Sequence, residues 1–433
     1  MSVRIHKNAR TRYDSRLIEN LEGRMIKRIL VGLMFSLLLV GCGQGGGTPT
    51  STSMPTQHAI MSTITPSPSP TDTATATLTP TATETPLPTD TPTPVAYGPS
   101  NFPSNVDPLT GQIVSDPTLL DRRPIAIKVN IVPRSSNRPP WGLSYADIVY
   151  DYYHNDGYSR FHAIFLGSDA SLVGPIRSGR MLDYDLVHMY QSIFAYGSAD
   201  FLINQRLLNS DFSNRLILEG SFSYCPPSVA IPLCRYEPNT YDFLLGSTAD
   251  LSSHITSIGV SNGRQNLDGM SFNAQIPSEG SPADLVYVRY SGDNYTRWNY
   301  DASTGLYLRF QDNVYDTGQG EDYAPLTDRL NDQQLTASNV VVIFARHDYF
   351  QQPPNEIIDI LLSGSGDAYA FRDGQMYQVQ WNRQTTNSVL TLTNADGSPF
   401  PFKPGSTWFQ VVGVSSRVSN EENGAWRFNF SLP

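Results

Sequence analysis

The sequence predicts a mixed α/β or α+β domain followed by a mostly β domain, both carried on a disordered Thr/Pro-rich stalk. Three observations predict this. Short apolar runs alternate with helical patterns between residues 99 and 275, strand-like alternation dominates after about 276, and residues 43–98 lack the apolar content of a core.

In the first folded part, "RPIAIKV" (123–129), "ADIVYDYY" (146–153) and "RFHAIFLG" (160–167) are short, β-branched and aromatic, the signature of buried strands. Residues 181–190, "MLDYDLVHMY", set Leu182, Leu186 and Met189 on one helical face. A second helical pattern covers 198–210, with Ser198 as its expected N-cap. A third, 247–259, opens on a Ser247/Asp250 capping box and closes at Gly259. In the second part, "ADLVYVRYS", "RWNYDASTGLYLRF", "NVVVIFARH", "EIIDILLSG", "DAYAFRDGQMYQVQW", "VLTLTNADGSPF" and "TWFQVV" alternate apolar and polar residues. Asp373-Gly374 and Asp396-Gly397 are hairpin signatures, because type I′ turns need positive φ at both central residues. A twisted antiparallel sheet or small barrel is the expected result. No internal repeat is visible.

Upstream, "MIKRILVGLMFSLLLVGC" joins a basic pair, Lys27 and Arg28, to an apolar segment at 29–38 too short to span a bilayer. It ends in Leu39-Val40-Gly41-Cys42, which resembles a bacterial lipobox. The expectation is a lipoprotein signal over 1–42, translation from Met25, acylation (palmitate) of Cys42, and an extracytoplasmic protein anchored to the membrane. Two or three acyl chains hold stably where one is marginal. Residues 43–98 cannot bury enough surface to offset backbone entropy and read as an extended tether. As polyproline its reach is on the order of 150 Å.

Removing the eight Lys+Arg and three Asp+Glu of residues 1–42 leaves 22 basic against 37 acidic residues, a net charge near −15. Such a balance argues against nucleic acid as a main partner. Export makes a bridge between Cys225 and Cys234, in "YCPPSVAIPLC", the expected state, since no residues nearby complete a zinc site.

With these elements in place, "DPLTGQIVSDPTLLDRRPIAIKVN", "GLSYADIVYDYY…YSRFHAIF", "VGPIRSGR" and "YEPNTY" resemble the YerB-like bacterial lipoproteins. "WNYDASTGLYLRF", "LTASNVVVIF", "SGSGDAYAFRDGQMYQVQW" and "FKPGSTWFQVV" are similar to that family's C-terminal part. The resemblance, to domain of unknown function 3048 over roughly residues 107–413, implies a two-part envelope lipoprotein and supplies no reaction. The chain departs from the pattern after Lys128, where the family usually has an acidic residue and this chain has Val129-Asn130, and at Glu237-Pro238-Asn239, where the family carries Pro-His-Asn.

For chemistry, "GPIRSGR" (174–180) is the focus. Lys128, Arg160, Arg177 and Arg180 are a basic constellation in an acidic chain, and arginine forks take carboxylate or phosphate bidentately. With Ser178, Asp147 and Asp151 they form the candidate ligand site. The competing reading pairs Arg177 and Arg180 with Asp183, Asp185 or Asp151 as structural ion pairs. Ser178 and Ser198 lack a complete nucleophile setting, since "AYGSAD" misses the second glycine of a nucleophile elbow. His154, His162, His188, His254 and His347 show no metal-binding spacing, and neither a metal nor a cofactor is expected. Trp141, Trp298, Trp381 and Trp408 suit either the core or carbohydrate contact. The reading is an envelope binding module for an anionic small molecule or cell-wall polymer. The alternatives are an envelope hydrolase or transferase acting on wall polymer or a phosphodiester, and a purely structural lipoprotein.

Overall fold

A computed structural model describes residues 96–237, 242–317, 320–421 and 424–432. Cys42, the apolar leader and the Thr/Pro-rich stalk lie outside the described residues. In chain order the first part contains β1 (Ile125–Val129), β2 (Ile148–Asn155), β3 (Tyr158–Phe165), α1 (Met181–Tyr190), β4 (Ile193–Ala195), α2 (Phe201–Leu208), β5 (Leu216–Ile217) and α3 (Thr248–Ser257). The second contains β6 (Leu285–Arg289), β7 (Tyr295–Asp301), β8 (Leu306–Asp312), β9 (Asn339–Gln351), β10 (Gly364–Arg372), β11 (Gln375–Arg383), β12 (Thr407–Gly413) and β13 (Ala425–Asn429), with shorter strands between. A mixed first part and a strand-dominated second part match the fold class expected from the sequence.

The strands do not segregate by part. One 12-stranded sheet runs β11-β10-β9-β12-β2-β3-β1-β4-β5 along its main path. Strand β12, from the end of the chain, inserts parallel between β9 and β2. Residues on both sides of position 275 therefore share one sheet. A separate 7-stranded sheet holds β8-β7-β6-β13, with β6 and β13 parallel rather than antiparallel. One large apolar core runs through both sheets, and a small separate cluster holds Trp141, Cys234, Phe243 and Leu245.

Two hairpins show how local chemistry sets register. Asp373 and Gly374 have φ 54° and 70°, as the type I′ turn between β10 and β11 requires. Asp156 and Gly157, at φ 52° and 84°, make the same turn between β2 and β3. Asp396-Gly397 does not: only Gly397 has positive φ, and the turn is closed by Asn394 N–H to Ser398 C=O. Ser247 caps α3 by accepting from Asp250 N–H. At α2 the cap is Asp200, not Ser198, its carboxylate accepting from Leu202 N–H at 2.9 Å. An ionised acceptor suits the positive end of a helix better than a hydroxyl.

Side chains alternate across a strand, so β2 sorts its residues by parity. Tyr150, Tyr152 and His154 point to the face covered by α1, where the Tyr150 and Tyr190 hydroxyls meet at 2.7 Å. Val149 and Asp151 point to the opposite face, against the 7-stranded sheet. There Arg309 of β8 pairs with Asp151 at 2.9 Å and lies over the rings of Trp408, Phe161 and Trp298. Trp141, Trp298, Trp381 and Trp408 are all buried, which assigns them to the core rather than to carbohydrate contact.

Candidate functional site

"GPIRSGR" is laid alongside β1 as an extended ribbon. Pro175 C=O accepts from Asn130 N–H, Arg177 N–H donates to Lys128 C=O, and Gly179 N–H donates to Ser198 C=O. The ribbon ends at Arg180, the N-cap of α1, whose backbone N–H donates to Asp183 Oδ2 at 2.6 Å. The sequence motif thus delivers Arg177 and Arg180 to the edge where β1, β2 and β3 present Lys128, Tyr152, His154 and Arg160.

Beneath the surface these groups form a closed network around Asp183. Its Oδ1 accepts from Lys128 Nζ at 3.2 Å, from Tyr152 OH at 2.5 Å, and from the His162 ring at 2.8 Å. Lys128 and Tyr152 also bond to each other. Lys128, Asp183 and His162 are wholly inaccessible to solvent. Burial pushes the Asp183 carboxyl up, but Lys128, His162 and Tyr152 outweigh it and hold the group ionised well below the usual range. Lys128 is pulled down to about 7 by burial and by the neighbouring Arg160 and Arg180, against the attraction of Asp183. The lysine is therefore engaged beneath the surface by Asp183 and Tyr152.

The arginines above this network are placed differently. Arg160, paired across the sheet with Tyr152, is largely buried; its Nη1 donates to Ser178 C=O at 3.1 Å and its Nε has no partner. Arg180 donates to Gly179 C=O. Among the described residues neither arginine has a carboxylate within ion-pair distance, whereas Lys128 has Asp183 and Arg177 has Asp242. Burial first, then repulsion from Arg180 and Arg177, drives Arg160 well below its ordinary pKa. Burial likewise lowers Arg180. His154, only 7% exposed, is held neutral by burial and by Arg160, Arg180 and Lys128; its Nδ1 is unpartnered. Arg180 and His154 line a pocket of about 330 Å³ with Asn155, Asp156, Asp200 and Glu356.

The sequence-predicted residues thus divide. Lys128, Arg160, Arg177 and Arg180 converge. The Ser178 hydroxyl bonds to that of Ser198 at 3.1 Å, and among the described residues no histidine is bonded to either. Asp151 lies on the wrong face of the sheet, one residue out of phase with Tyr152, and is committed to Arg309. Asp147 lies at the other end of β2, five residues from Tyr152 and so about 17 Å away. It is buried beside Asp107 and accepts from Leu166 and Gly167 N–H. The structural pairings also differ from those expected. Arg177 pairs with Asp242, while Asp185 serves Arg383 and Arg206. Cys225 and Cys234 are disulfide-bonded. No group of three or more His, Cys, Asp or Glu among the described residues could hold a metal.

Tyr152, His154, His162 and Asp183 complete the site, and the sequence carried a signal for most of them. Period-2 alternation puts 150, 152 and 154 on one face and 160 and 162 beside them. Asp156-Gly157 between two strand patterns marks the turn that brings His154 and Arg160 together.

The fold is thus a mixed sheet with a buried Lys-Asp-Tyr-His network beneath Arg160 and Arg180. The chain belongs to the family of proteins of unknown function designated DUF3048: its N-terminal domain description matches residues 109–227 and its C-terminal one residues 286–409. A candidate lipoprotein of Bacillus subtilis (strain 168), YerB, is 28% identical over 310 residues, covering 70% of this chain and 85% of that protein. The crystal structure of YerB shares the fold, with a TM-score of 0.57 at 24% identity, over 71% of this chain and 96% of the other.

Proposed function

We propose that this chain is an extracytoplasmic lipoprotein, anchored through Cys42, that binds an anionic ligand in the Arg160–Arg180 cleft. The kinship with a candidate lipoprotein supports the anchoring, together with the lipobox-like LVGC ending at Cys42. One observation supports the binding: two adjacent, largely buried guanidiniums have no carboxylate partner among the described residues, while the lysine beneath them does. Desolvated like charges repel, and an anion between them relieves that repulsion. Each charge-assisted bond formed in such a cleft contributes about 1.5–3 kcal/mol. Calorimetric titration of the purified protein with inorganic phosphate tests the reading. Arg160→Gln, which keeps a polar side chain but removes the charge, weakens binding by at least about tenfold, or ~1.4 kcal/mol. A protein that takes up no anion, or an Arg160→Gln variant that binds as tightly, refutes it and leaves a structural lipoprotein.

A further inference from the structure

The cleft is not uniformly basic, and its asymmetry bears on the kind of anion it takes. Arg180 and His154 line it, Arg160 lies outside the lining but close enough to repel Arg180, and the unpartnered Nδ1 of His154 is enclosed. Its rim carries Asp156, Asp200 and Glu356. Among the described residues none of these three carboxylates has a lysine or arginine within ion-pair distance. Two of them are fixed by neutral donors: Asp200 accepts from Leu202 N–H at the start of α2, and Glu356 accepts from Tyr153 OH and Asp156 N–H. Asp156 is held in place by the β2–β3 turn. The rim is therefore positioned by neutral donors, and Asp156 and Asp200 attract Arg180 only from beyond ion-pair distance.

A plain anion entering this pocket meets attraction at the floor and repulsion at the rim. A ligand with an anion at one end and a protonated amine at the other satisfies both. At about 330 Å³ the pocket is at the small end of the ~300–1,000 Å³ of small-molecule sites, room for one such head group. Resting on the anion-binding reading of the same cleft, we infer that the ligand is a small zwitterion. Its phosphate or carboxylate sits on Arg180, with the nearby charge of Arg160 adding attraction, and its primary ammonium sits between Asp156, Asp200 and Glu356.

Matched pairs of probes test this with the purified protein. O-Phosphoethanolamine is compared with ethyl phosphate, and β-alanine with propionate, each pair differing only in the amine. The expected result is that the aminated member of at least one pair binds tenfold or more tightly than its plain partner. Which pair shows the larger affinity tells whether phosphate or carboxylate is the natural anion. The double variant Asp156→Asn/Glu356→Gln, whose positions are at the surface turn and rim, abolishes the preference while retaining binding of the plain anion. If ethyl phosphate and propionate bind as well as or better than their aminated partners, the zwitterion inference falls and the anion site stands. If none of the four binds, both fall. A preference that survives the double variant also overturns the assignment of the rim.

Discussion

Asp183→Asn is the sharpest probe of the network beneath the cleft. The substitution keeps the side chain's shape and removes its charge, leaving Lys128 buried beside Arg160 and Arg180 with no counter-ion. The amide also presents an NH₂ where a carboxylate oxygen now accepts, either from Arg180 N–H or from the Lys128, Tyr152 and His162 cluster. Breaking a buried pair from one side typically costs about 3–5 kcal/mol. The variant can escape part of that loss by releasing the Lys128 proton, and this gives the pH signature. Lys128 is already depressed to about 7, below its value in an unfolded chain, so its neutral form is the one the fold favours. Without Asp183 its folded pKa falls further. Between the variant's lowered value and about 7, the variant sheds its proton while the parent keeps its own. The penalty is thus largest near pH 5 and shrinks towards pH 7, by at most about 1.4 kcal/mol per unit. Above about 7 both proteins carry neutral lysine and the difference levels off. Urea unfolding at pH 5, 6, 7 and 8, with unchanged m, reads this directly. A penalty under about 1 kcal/mol, or one that grows from pH 5 to 7, refutes the network as described.

Other outcomes follow from the same geometry. Burial raises Asp107 to about 6 and Asp147 well above the carboxylate range, so this pair stabilises when protonated. That contribution is full below the unfolded value near 3.9 and is lost as pH rises through about 6. Melting of the parent against Asp107→Asn from pH 4.5 to 7.5 should show the parent losing more stability than the variant, in which only buried Asp147 of the pair still titrates. Arg309→Ala strands Asp151 in the core and costs about 3–5 kcal/mol in urea unfolding. Provided the variant folds, its phosphate affinity stays within twofold, because the pair faces away from the cleft. Reducing the Cys225–Cys234 bridge, nine residues apart in sequence, lowers stability by about 2–3 kcal/mol on the loop-entropy relation, measured by unfolding with and without reductant.

Much of this arrangement was legible because strands and short helices announce themselves locally. The runs at 123–129, 146–153 and 160–167 became β1, β2 and β3, and "MLDYDLVHMY" coincides with α1. What stayed hidden was non-local. No local pattern says that residues 407–413 insert between the strands 339–351 and 148–155, since that pairing bridges more than 250 positions of sequence. Parity explains why Asp151 was grouped with the site when it belongs to Arg309. Adjacent residues of a strand look alike in sequence and face opposite ways. Asp183 was visible as a carboxylate but not as the hub, because its partners come from three different strands. Arginine pairing was the least legible feature. Asp242 and Arg383 lie far along the chain from Arg177 and Asp185, and only the folded sheet brings them together.

Crystals of the protein soaked in tungstate, an electron-dense stand-in for phosphate, show whether Arg160 and Arg180 hold an anion. The expected result is an anomalous peak within hydrogen-bond distance of both guanidiniums, absent in Arg160→Gln. Tungstate bound only elsewhere, with the cleft vacant in the parent protein, would contradict it.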